Sequence, residues 1–143
     1  MTKTSLSLLF WLTTFAAMII MMASIGWILG LFGIGLVPFI ILHIVSGTKA
    51  LNRVPVLNPW IISSSLIFFL FALIRPDIDD KNAYTGYSVV MHGMGFRATR
   101  YVTSQDSFFV VALILLLGIM VMDLVILRKS RRPPPVPVNN DFV

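Results

Sequence analysis

Charged side chains punctuate a chain that is otherwise apolar. Between Lys3 and Lys49 lie 45 residues, positions 4–48, without a formal charge. As one helix they would extend about 68 Å, against a bilayer hydrocarbon core of about 30 Å. The stretch therefore predicts two crossings, with one crossing and a re-entrant segment as the other solution. Helix is weakest where Gly26, Gly30, Gly33 and Gly35 gather ahead of Pro38. That places a first span at residues 6–27, a second at 31–47 and a connecting loop at 48–57. Asn58-Pro59-Trp60 reads as an N-cap, a proline in the first helical position and an interfacial Trp, opening a third span at 58–75. Arg75-Pro76 ends it, because proline disfavours helix in the residue before it. A fourth span covers 107–127 and is closed by Arg128-Lys129.

Segment 76–106 is polar and too long for a turn. Two β-leaning runs, Tyr87–His92 and Phe96–Thr103, flank Gly93-Met94-Gly95, and a short hairpin is expected there. The basic tail, 128–143, continues into Pro133–Pro137, which favours an extended polyproline conformation ahead of disordered final residues. The first apolar run reads as a retained span rather than a cleaved leader. Its n-region holds only Lys3, the run from Leu6 to Ala23 is too long, and no Ala-x-Ala precedes Ser24.

Composition agrees with the pattern. Of 143 residues 57% are hydrophobic and only 12% charged, too little polar surface to wrap a soluble domain. The net charge of +5 could suggest nucleic acid, but its distribution argues otherwise. With four spans, the side bearing both termini holds Lys3, Lys49, Arg53, Arg128, Lys129, Arg131 and Arg132. The other side holds Arg75, Lys81, Arg97 and Arg100, balanced by Asp77, Asp79, Asp80 and Asp106. The positive-inside rule then puts both termini in the cytoplasm and 76–106 outside. The expected fold class is an all-α integral membrane protein of four transmembrane helices, N-in and C-in, in the plasma (inner) membrane. Nucleic acid is not expected as a partner.

Candidate chemistry is sparse. The chain has no cysteine and no glutamate, two histidines and six aspartates, a poor supply for a metal site. No phosphate loop, dinucleotide fingerprint, zinc-protease or serine-hydrolase motif is present. No catalytic residue, metal or cofactor is expected. The notable pair is His43 with Asp123, inside spans two and four at matching depth. An ionisable side chain in a span usually finds a partner. The pair reads as a structural contact, or Asp123 reaches Lys49, Arg53 or Arg128. The sharper reading is proton or cation movement. Gly26-x-x-x-Gly30 and Gly118 are candidate helix-packing positions. Ser63-Ser64-Ser65 with Thr13 and Thr14 could line a polar path, or bond their own helices. Asp77, Asp79 and Asp80 resemble half a calcium loop but lack its glycine and glutamate, so a solvated cap is expected. Lys49, Arg53, Arg128, Lys129, Arg131 and Arg132 suit the membrane surface and topology.

These features favour a non-catalytic membrane protein, an accessory, assembly or scaffolding subunit of a larger complex. Its partners would be the bilayer and other membrane proteins or copies of itself. A small oligomeric channel or transporter using His43 and Asp123 is the alternative. An enzyme using His92 and the loop aspartates ranks last.

Overall fold

Buried side chains recur every three to four residues along four helices, and this spacing assembles them. The computed structural model describes residues 2–24, 27–52, 57–79, 82–96 and 105–131. Its long helices are α1 (Lys3–Ala23), α2 (Trp27–Leu51), α3 (Asn58–Ile74) and, after a short insertion, α5 (Gln105–Ser130). The insertion holds strands β1 (Pro76–Asp79) and β2 (Asn82–Thr85) and helix α4 (Gly86–Gly93). Three helices are long and apolar enough to cross a membrane: α1, α2 over Gly33–Leu51, and α5 over Ser107–Ser130. The apolar α3 is shorter, at 17 residues.

Helix α1 lies against α3, α3 against α5, and α5 against α2. The interior is layered. Leu6 and Phe10 of α1 meet Ala50 and Leu51 of α2, Leu57 and Ile61 at the start of α3, and Ile126 of α5. Further along, Ala17 and Met21 of α1 meet Phe68 and Phe71 of α3 with Ala112 and Ile119 of α5. The start of α1 thus sits beside the ends of α2 and α5, so α1 and α3 run opposite to α2 and α5. Outward-facing positions are also apolar, among them Leu12 and Ile19 of α1 and Ile114 and Leu117 of α5. A continuous exposed apolar surface of this kind is found where lipid or a partner covers it.

Close approach is built in at two glycines. A Cβ on Gly47 of α2 would run into the Phe10 ring, and one on Gly86 into the Ala72 carbonyl and Ile20. Gly86 therefore seats α4 on the ends of α1 and α3. A capping box starts α4: Ser88 N donates to Thr85 Oγ1 (3.3 Å), and Thr85 N donates to Ser88 Oγ (3.1 Å).

Several sequence expectations change. The glycine cluster does not break the helix. Gly30, Gly33 and Gly35, and Pro38 with them, lie inside α2, which starts at Trp27. Glycine costs about 0.5–1 kcal/mol in a helix, but in an apolar setting a backbone left unpaired costs more. Helix α1 instead ends at Ala23 with Ser24 as its C-cap, and Gly26 lies outside the described residues. The hairpin forms from β1 and β2, in register Pro76↔Thr85 to Asp79↔Asn82. Tyr87–His92, expected as a strand, is the body of α4, because the Thr85–Ser88 box nucleates helix there. Phe96 follows a turn, and 97–103 lie outside the described residues. At α3 the N-cap is Leu57 without a side-chain cap, which places Asn58 and Pro59 in the first turn.

Candidate functional site

Between the two apolar layers lies a polar one, built from one turn of each long helix. The 3.6-residue period that buries Phe10, Ala17 and Met21 also buries Thr14. The period that buries Ile61 and Phe68 buries Ser64, and Ile119 and Ile126 bracket Asp123. Helix α2 contributes His43 and, one turn on, Ser46.

The structure brings His43 and Asp123 together, with Nδ1 3.1 Å from Oδ2. Against an ionised carboxylate, which only accepts, Nδ1–H would be the donor. Ser64 Oγ donates to Asp123 Oδ1 at 2.6 Å, and Ser46 Oγ lies 2.9 Å from the same oxygen. The carboxylate thus meets donors from α2 and α3. Nε2 on the far side of the ring lies 3.4 Å from Thr14 Oγ1 on α1. A neutral imidazole would accept there and a charged one would donate; the hydroxyl suits both. Phe68 stacks on the His43 ring, with centroids 4.3 Å apart, and Phe10 lies tilted at 5.2 Å. His43 is 0% exposed and Asp123 1%. Asp123 does not reach for the basic ends of the helices: Lys49 and Arg128 are exposed.

A buried ion pair lies at the end of the bundle where α1 and α3 finish. Arg75, which caps the C-terminus of α3, donates through Nη1 to Asp77 Oδ2 (2.6 Å). Nη2 donates to the Ser24 carbonyl (3.0 Å) and hydroxyl (2.9 Å) at the C-terminus of α1. The guanidinium therefore meets the C-terminus of α1, where a cation is favoured. Asp77, expected in a solvated cap, is instead buried against Arg75. Asp80 lies outside the described residues.

Of the remaining candidates, Gly118 has open space where a Cβ would stand, so it makes no close approach among the described residues. Gly30 is in α2, and Arg53 and Arg132 lie outside the described residues. The hydroxyls do not form a continuous path. Thr13 donates back to its own helix at Leu9 (2.8 Å), Ser63 is exposed, and Ser65 Oγ is buried with no partner among the described residues. Lys129 Nζ sits 4.0 Å from the centre of the Trp60 ring, a cation–π contact. His92 is exposed on α4. Among the described residues no three His or Asp side chains gather as a metal site would need.

Sequence reading missed Ser46 and the Arg75–Asp77–Ser24 cluster. Ser46 had a signal, since it follows His43 by three residues on the same helix face. Arg75 and Asp77 had only an alternation across Pro76, with nothing to say that both turn inward. Chemically, Thr14, His43 and Asp123 stand in the order of a general-base relay. The three are buried, with Phe10 and Phe68 against the His43 ring and apolar layers on either side. Comparison with protein-family models, curated proteins and solved structures found no match to the chain.

Proposed function

We propose that the chain is a four-span, non-catalytic membrane protein with both termini in the cytoplasm, resident in the plasma (inner) membrane. It serves as an accessory, assembly or scaffolding subunit of a larger membrane complex. One observation carries this reading: the polar layer is walled on both sides by apolar layers, and its two ionisable groups satisfy each other there. A conducting or catalytic site needs access. This layer instead ties four helices together. Counting α3 as a span rests on its 17 residues, which lie at the short end of the 17–25 or so residues that cross a bilayer.

Purification from native membranes in mild detergent tests the role. The expected result is stoichiometric recovery with other membrane proteins. A lone homogeneous monomer overturns it.

The second reading, a small oligomeric channel or transporter, draws on His43 and Asp123 as ionisable groups deep in apolar helices. It predicts flux in proteoliposomes that Asp123→Asn abolishes. The accessory reading predicts no flux from either protein.

A further inference from the structure

We propose that the cytoplasmic end of the bundle binds the phosphodiester headgroups of anionic phospholipids. This rests on the membrane reading above, but not on the accessory role. The end is defined by the layer of Leu6, Phe10, Leu51, Leu57 and Ile126, beyond which the apolar length of the helices stops. Lys3, Lys49, Arg128, Lys129 and Arg131 all lie there, and all are exposed. The described aspartates are elsewhere. Asp123 is buried against His43, Asp77 is buried against Arg75, and Asp79 and Asp106 belong to β1 and the start of α5 at the other end.

Among the described residues the buried charges are therefore matched inside the protein, while the exposed cations gather at one rim. No acid among the described residues pairs with Lys49, Arg128 or Arg131. Lys49, Arg128 and Lys129 do occupy the last turns of α2 and α5, where the helix dipole favours cations. That effect fades within a turn and leaves their outward faces unneutralised. Lys129 is held over Trp60, which is half-buried in the first turn of α3. Trp rings settle at the headgroup level, so this contact fixes an ammonium at that depth. A ring of cations at the end of an apolar bundle meets the headgroup layer before any soluble partner can. Its complement there is the phosphate of an anionic lipid.

The test uses the purified full chain in a neutral maltoside detergent. It is titrated with short-chain phosphatidylglycerol or phosphatidylcholine, and retained lipids are counted by native mass spectrometry. The expected result is a preference of about ten-fold or more for phosphatidylglycerol. The preference should fall to the phosphatidylcholine level in Lys49→Gln/Arg128→Gln/Lys129→Gln/Arg131→Gln. Lys49→Arg/Lys129→Arg should retain it. Circular dichroism shows whether the neutralised variant keeps its helix. If it does not, Arg128→Gln/Arg131→Gln, at two exposed positions, carries the test and should weaken the preference. Equal retention of the two lipids by the wild type overturns the proposal. So does a preference unchanged in the neutralised variants, or tighter binding of a polyglutamate peptide than of phosphatidylglycerol, which would point to an acidic protein partner. None of these outcomes bears on whether partners co-purify.

Discussion

Asp123 is the residue on which the interior turns. It is buried, and its donors come from two helices. Removing one partner of a buried ion pair commonly costs about 3–5 kcal/mol, whereas replacing both with apolar groups is often close to neutral. Asp123→Leu should therefore lower stability in detergent strongly. His43→Leu/Asp123→Leu should lose less than the sum of the single losses, because Ser46 and Ser64 can turn back to carbonyls of their own helices. Additive losses, read from thermal unfolding, would mean the two side chains do not act as a pair. Ser64→Ala removes the shortest bond to the carboxylate and should cost about 1–2 kcal/mol. At this scale the sequence was partly readable. His43 and Asp123 stand out as ionisable residues amid apolar ones. Serine and threonine do not, because a hydroxyl can satisfy itself locally, and only the fold decides that Ser64 turns to Asp123 while Ser65 does not.

At the scale of the elements, length and charge placement made the helices legible, but glycine misled. In water, Gly30, Gly33 and Gly35 would be good evidence for a turn. In an apolar helix the backbone must stay paired, and they remain helical. What glycine does mark is closeness, at two other positions. Gly47→Ala should drive a methyl into Phe10, and Gly86→Ala one into the Ala72 carbonyl. Each should destabilise by about 1–3 kcal/mol, as overpacking does. Gly35→Ala, with open space around it, should be neutral or stabilising by up to about 1 kcal/mol. Ranking the three variants by melting temperature checks this; equal effects would contradict it. The hairpin was expected in the wrong place for a related reason. The β-leaning residues Tyr87, Val89 and Val90 weigh less than the cap that precedes them. Thr85 and Ser88 start a helix, and Val90 then packs onto the core.

For the whole molecule, the separation of charge is the organising feature. Among the described residues one end is cationic and exposed, the other holds Arg75 neutralised by Asp77, and the interior carries one matched pair between apolar layers. Four spans and enclosure of the polar layer make one claim together, and the absence of cysteine makes it directly measurable. Single cysteines at Asn52, Met94, Arg131 and Ser64 can be probed in intact cells and in permeabilised ones with a thiol reagent that does not cross membranes. Met94→Cys should label in intact cells. Asn52→Cys and Arg131→Cys should label only after permeabilisation, and Ser64→Cys in neither condition. Labelling of Asn52→Cys and Met94→Cys from the same side would show that α3 does not cross, and labelling of Ser64→Cys would show that water reaches the layer taken here as closed.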